Sequence, residues 1–195
     1  MLNLFSRNLR ILAIGASILV SFATKAGQST STAFEPSQVV AGTTLKLNGA
    51  GTRYKTIFKV YELGLYTSKK VSTPDELLKA PGPIKLSFVA MRDLPSTDLG
   101  ISFIRGLSNN TPSELLMRHT PSSNRLVEIF SAKNKLLAGE TFSMEYMPGK
   151  GTIFYIAGQQ QGGAVGDAEF FSMILKIWIG AAPADFRLKD ALFGL

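Results

Sequence analysis

Residues 141–147 and 152–157 alternate apolar and polar side chains on either side of Pro148-Gly149-Lys150-Gly151. Period-two alternation turns one face of each segment inward, and the Pro-Gly step followed by a second glycine supplies a tight reversal. Strands joined so closely pair antiparallel, because a parallel return needs a crossover of about a dozen residues or more. An all-parallel, doubly wound chain is therefore excluded for this region. The sheet that forms here must be at least partly antiparallel.

The rest of the chain fits around that hairpin. Residues 84–91 alternate in the same way and predict another strand. Residues 43–47 alternate and run into Asn48-Gly49-Ala50-Gly51, which reads as a turn. Residues 52–67 are rich in β-branched and aromatic side chains and predict one long strand or two short collinear ones. Thr73-Pro74-Asp75-Glu76 is a capping box with proline at the first helical position, opening a short helix that Pro81-Gly82-Pro83 stops. Ser96 is expected to cap a helix to about residue 108, with Leu99, Phe103, Ile104 and Leu107 along one face. Pro112 starts a second helix and residues 123–131 predict a third. Residues 159–166 form a turn with at most a brief strand. Asp167 caps a strongly apolar helix over 168–179, Gly180 ends it, and Pro183 begins a last amphipathic helix to Leu192. Strands, then helices, then a hairpin and closing helices predict an α+β fold with a large antiparallel sheet covered by helices on one side.

The amino terminus reads as an address. Residues 1–10 carry Arg7 and Arg10 and no acid, residues 11–23 are uncharged and mostly apolar, and small residues precede Thr24 and Gly27. That order is a signal peptide over 1–26, cut after Ala23 or Ala26. Its apolar run is shorter than the roughly 20 residues that span a bilayer. The alternative is a retained anchor or buried helix. Residues 27–37 are small and polar and predict a flexible lead, leaving 38–195 as a single domain. The expected protein is periplasmic or secreted, with no transmembrane segment after cleavage.

Charge follows from this division. The chain has 21 basic and 14 acidic residues, a net +7. Cleavage after Ala26 removes three basic residues and no acid, leaving +4. The remaining basic residues are dispersed, so nucleic acid is not an expected partner. Cysteine is absent and His119 is the one histidine. Thiolate chemistry, disulfides, a Ser-His-Asp triad and a multi-histidine metal site are thereby excluded or starved of ligands. No cofactor is expected. Gly49-Ala50-Gly51 lacks the third glycine of a phosphate loop.

The chemistry-bearing cluster lies in residues 47–66. Arg53 and Tyr61 are an even number of residues apart, so an uninterrupted strand would place both on one face, whereas a β-bulge would break that parity. A guanidinium and a phenol converging in an apolar cleft would hold a carboxylate. The plain alternative is that Arg53, Lys55 and Lys59 form the wet face of an antiparallel sheet.

Leu47-Asn48-Gly49-Ala50-Gly51-Thr52-Arg53, Phe58-Lys59-Val60-Tyr61, Gly149-Lys150-Gly151-Thr152 and Ile177-Trp178-Ile179-Gly180 with Pro183 together resemble the signature of the chalcone isomerase-like family, most of all its bacterial exported branch. The resemblance runs from about Phe34 to Leu195. It implies an open-faced β-sandwich: a large antiparallel sheet, a layer of helices, and a cleft between them. It also implies that Arg53 stands where the plant isomerases have an arginine that stabilises enolate charge. Tyr61 stands where those enzymes have threonine and fatty-acid-binding relatives have tyrosine. Leu99 occupies the position of a catalytic tyrosine, Ser102 and Gly106 fall near a lysine and an asparagine, and Ile177 near a threonine. Chalcone cyclisation is not expected with these groups missing.

The leading expectation is a non-catalytic protein that binds a fatty acid or similar apolar carboxylate through Arg53 and Tyr61. The alternative is an intramolecular lyase or isomerase in which Arg53 is the electrophile and Tyr61 the general acid. The resemblance also admits haem binding, for which His119 matches no motif, and a structural periplasmic component with a vestigial cleft.

Overall fold

The computed structural model describes residues 34–195. The expected signal peptide lies outside them, as does most of the lead at 27–37. The last residues of that lead are held in place. The Leu47 amide donates to the Pro36 carbonyl at 2.9 Å, and the Tyr66 hydroxyl to the Glu35 carbonyl at 2.9 Å.

Seven strands form one antiparallel sheet: β1 (Ser37–Val40), β2 (Thr43–Lys55), β3 (Phe58–Thr67), β4 (Ile84–Ala90), and, past a separate pair β5 (Leu94–Pro95) and β6 (Lys135–Leu136), β7 (Thr141–Met147), β8 (Gly151–Ile156) and β9 (Gln159–Gln160). Their order is β1-β2-β3-β4-β7-β8-β9. Helices α1 (Pro74–Leu78), α2 (Ser96–Asn110), α3 (Ser113–Arg118), α4 (Thr120–Ser131), α5 (Ala168–Ile179) and α6 (Phe186–Phe193) complete the α+β architecture expected from the order of elements. The two-residue pair β5/β6 carries too little pattern to be read from sequence.

Registered pairs show how the alternation builds the core. Leu63 faces Phe88, Phe88 faces Phe142 and Phe142 faces Ile156 across four strands. Such same-face rows are the unit of sheet stabilisation. Helix α5 lies on this inner face, with the Trp178 ring 5.2 Å from Phe88 and Phe171 stacked 4.4 Å from Tyr146. Its buried residues run from Phe170 to Ile179 with few breaks, as suits a helix covered on nearly all sides. Asp167 caps it through the Phe170 amide at 2.9 Å, as the sequence predicts. Ser96 does not cap α2: Pro95 is the N-cap, and the Ser96 hydroxyl instead donates to the Lys133 carbonyl, joining α2 to the end of α4.

One expectation is corrected in a way that matters for function. Asn48-Gly49-Ala50-Gly51 is not a turn. It lies inside β2, with Asn48 as the extra residue of a bulge between the Leu47–Tyr66 and Gly49–Leu65 pairs. Asn48 turns inward, donating to the carbonyls of Val71 (3.0 Å) and Leu192 (2.8 Å) and accepting from the Val71 amide (2.8 Å). Its buried amide is thus satisfied by two distant segments. Residues 52–67 are likewise not one strand or two collinear ones. The chain reverses at Thr56-Ile57 between the Lys55–Phe58 pair, with Thr56 at φ 60°. Positive φ in the first turn position matches the twist of a two-residue hairpin, although a β-branched residue is strained there.

Candidate functional site

The hairpin β2–β3 carries Arg53 and Tyr61 on different strands, directly opposite one another. Counting back from Lys55–Phe58, an unbroken ladder would set Arg53 against Val60. The register shifts between Arg53 and Tyr54, leaving Val60 as an extra residue and bringing Tyr61 opposite Arg53. The bulge, which on a single strand would separate the two side chains, is what puts them on one face. The Val60 carbonyl is taken up by the Met91 amide at 3.0 Å.

The two side chains both line a cavity of about 310 Å³, in the usual size range of small-molecule sites. Its floor is the inner face of the sheet, including Phe88, Phe142 and Met144. Its roof is α2 and α4 through Leu99, Phe103 and Phe130, and α5 lines it through Ile177 and Trp178. Edge-to-face and tilted ring contacts run from Tyr61 to Phe88 (5.3 Å), Phe88 to Phe142 (5.6 Å), Phe142 to Phe130 (5.2 Å) and Phe130 to Phe103 (5.6 Å). The lining is mostly apolar and aromatic, with Ser96, Ser102, Arg105, Asn109 and Lys133 adding polar groups to those of Arg53, Tyr54 and Lys55.

Arg53 lies with its guanidinium carbon 5.4 Å from the Tyr61 ring centroid, within cation–π reach. Its Nε is buried and has no hydrogen-bond partner. The Tyr61 hydroxyl accepts a hydrogen bond from Trp178 Nε1 at 2.7 Å. Trp178 therefore occupies an acceptor position of the phenol, and the phenolic proton remains to be donated. Burial pushes the Tyr61 pKa above its ordinary value, opposed by the Arg53 charge and by the hydrogen bonds from Trp178 and Arg53, so the phenol stays a neutral donor. A fixed cation, an unpaired N–H and a free O–H proton form an acceptor-hungry patch in a mostly apolar cavity. Chemically this arrangement fits an anion of one or two oxygens on an apolar body.

Of the three basic residues that a wet sheet face would have shared, Lys55 and Lys59 are exposed at the hairpin end and Arg53 alone is half-buried. Leu99, Ser102, Gly106 and Ile177 all line the cavity. Two of them are fitted to one another: a Cβ on Gly106 would stand 2.7 Å from Ile177 Cγ2. Isoleucine on α5 fills the space that a side chain on α2 would need, so neither position offers a polar group to the cavity. Trp178 is the site residue that the sequence does not disclose. It reads there as helix core, and the one hint is that a buried indole N–H requires a partner.

The cavity rim is tied down by polar contacts. Asn110 donates to the carbonyls of Gly106 (2.9 Å) and Ala182 (2.8 Å) and accepts from the Ala182 amide (2.9 Å), pinning the segment after α5. Asp185 caps α6 and accepts from the Tyr54 amide at 2.9 Å, tying α6 to the hairpin beside Arg53. His119 is elsewhere, at the α3–α4 junction. Its Nε2 lies 2.8 Å from Glu169 and its ring stacks on Phe170 at 5.6 Å. That contact, with Arg118 beside it, holds the Glu169 carboxyl below its usual range. His119 does not line the cavity, so a haem ligated by it would lie outside the cleft. Among the described residues no cluster of histidine and carboxylates could hold a metal ion.

Comparison with known proteins agrees with this architecture. A crystal structure of a fatty-acid binding protein from Arabidopsis thaliana superposes with a TM-score of 0.62 at 17% identity, covering 80% of this chain and 95% of that one. No curated protein sequence matches. Residues 26–194 match the sequence model described as chalcone isomerase-like. With nearly all of the chain accounted for by that match and the sheet and helices arranged accordingly, the protein belongs to the chalcone isomerase-like family.

Proposed function

We propose that this protein binds a fatty acid or similar apolar carboxylate, without transforming it, in the cleft beside Arg53. The observation that carries this reading is the buried, unpartnered Nε of Arg53 in a mostly apolar, aromatic-lined cavity. A buried donor without a partner is costly, and a carboxylate would relieve it through a charge-assisted bond. Tyr61 would donate its remaining proton to the same group. The aliphatic tail would lie along the Phe88–Phe142–Phe130 rings. The fold relative from Arabidopsis thaliana, a fatty-acid binding protein, supports the same ligand class.

Turnover is disfavoured by the residues themselves. Leu99, Gly106 and Ile177 bring no acid, base or hydroxyl to the cavity. Titration calorimetry with laurate tests both halves of the reading. Wild type is expected to bind with one site, and Tyr61→Phe about tenfold more weakly, the loss of one hydrogen bond to a charged acceptor. Naringenin chalcone absorbance is expected to decay equally with wild type and with Arg53→Ala. Faster decay with wild type would establish the isomerase alternative instead.

The protein is further proposed to be an exported member of the bacterial branch. The basic, apolar and small-residue order of residues 1–26 supports export. Terminal sequencing of the protein recovered from outside the cytoplasm should begin at Thr24 or Gly27; an intact Met1 there would overturn it.

A further inference from the structure

The hairpin end beside the cleft exposes the wrong residues for a passive turn. Residues 54–59 read Tyr-Lys-Thr-Ile-Phe-Lys and are all exposed. Ile57 is 78% exposed and Phe58 59%, although neither is needed for reversal, which glycine or asparagine would serve with less strain at Thr56. Lys55 and Lys59 flank the apolar pair, and no acid occurs within the segment. The Asp185–Tyr54 bond sets the start of α6 alongside, where Phe186 is 65% exposed and Arg187 is also in solvent. The Asp185 carboxylate is spent on the amides of Tyr54, Arg187 and Leu188. Among the described residues none of Lys55, Lys59 or Arg187 has an acidic partner.

We propose that this tip is a docking element for an anionic lipid surface: Ile57, Phe58 and Phe186 enter the interfacial layer while Lys55, Lys59 and Arg187 meet the headgroups. Apolar side chains ringed by cations are the chemistry of interfacial membrane binding. An acidic protein groove would be met by the cations as well, but it would not call for large apolar side chains projecting from a turn. Position adds an argument. Tyr54 and Lys55 line the cavity, and the segment before α6 forms its rim, so a docked tip holds the cleft mouth against the bilayer. A consequence, which rests on the proposed carboxylate ligand, is that ligand enters and leaves from lipid without crossing bulk water.

Vesicle flotation with the purified protein tests the docking itself. Wild type should float with phosphatidylcholine–phosphatidylglycerol vesicles, bind phosphatidylcholine alone far less, and release as salt is raised. Phe58→Ser should weaken binding about tenfold or more, from the apolar area withdrawn. Lys59→Gln should weaken it about fivefold, and only on anionic vesicles. Laurate affinity in solution, measured on the same Phe58→Ser protein, should be unchanged because Phe58 lies outside the cavity. Failure of wild type to float, or equal flotation of Phe58→Ser, would overturn the proposal. So would a wild-type dimer that Phe58→Ser dissociates, which would make the tip a contact between two copies. Loss of laurate binding with flotation intact would instead count against the ligand reading alone.

Discussion

Arg53→Ala should lower laurate affinity roughly 30- to 150-fold while leaving the fold intact, the cost of truncating one partner of a desolvated charge pair being about 2–3 kcal/mol at a half-buried site. The fold is spared for a specific reason. Among the described residues Arg53 makes no ion pair, and its buried Nε is unsatisfied, so alanine removes a penalty along with the cation–π contact to Tyr61. These terms are each about 1 kcal/mol and opposite in sign. Thermal unfolding of the ligand-free variant should therefore stay close to wild type. Arg53→Lys should recover part of the affinity, keeping the charge and losing the paired-donor geometry. Methyl laurate separates charge recognition from burial of the tail. Wild type should prefer the acid over the ester, and Arg53→Ala should lose most of that preference. Unchanged acid affinity in Arg53→Ala would remove Arg53 from the site.

Acidity within the cleft bears on the same experiment. Burial raises the Tyr61 pKa above the ordinary tyrosine value of about 10, so the phenol keeps its proton from neutral pH through mild alkali. The unfolded phenol ionises first, so the contribution of buried Tyr61 to stability is fully present below about pH 10 and is lost as pH rises through the folded value.

What could be read from sequence was whatever depended on neighbours in the chain. The hairpin at residues 141–157 and the Asp167 cap are local, and both stand where their residues put them. Misreadings came where one residue type serves two physical purposes. Asparagine and glycine at 48–51 are turn formers, but here they answer to α6, 144 residues away from Asn48 at Leu192. Arg53 and Tyr61 were expected on one face by a parity count along a single strand. They do share a face, but by a two-residue reversal and the Val60 bulge acting together. Neither step could be counted alone, because Thr56 is a poor advertisement for a turn. Gly106 and Ile177 looked like independent departures from an enzyme's pattern. Only their contact shows that one is the space for the other. The resemblance to a family supplied the overall sheet-and-helix arrangement, which periodicity gave only as a class.

Gly49→Ala should destabilise the protein by about 3 kcal/mol or more, which for a chain of this length lowers the melting temperature by roughly 6–12 °C. A Cβ at 49 would stand 2.3 Å from the Ala191 carbonyl oxygen and 2.4 Å from that of Leu192. Both are backbone atoms of α6, so no rotamer change relieves the contact and the helix itself must move. Gly51 faces the same helix two residues on, where a Cβ would meet Ala191 Cβ at 2.7 Å. The Gly-Ala-Gly run is thus a seat for α6, and Asn48 is its latch through the Leu192 carbonyl. Lifting α6 would also strain the Asp185–Tyr54 bond at the cleft rim, so the variant should bind laurate more weakly as well as melt earlier. Gly100→Ala is the internal control. It lies on α2 with nothing near its missing Cβ, and alanine there should stabilise by about 0.5–1 kcal/mol through helix propensity. Two glycine-to-alanine changes of opposite sign would show that close packing, not flexibility, fixes the motif beside Arg53. A Gly49→Ala variant as stable as wild type would mean that α6 does not rest on β2 at this contact.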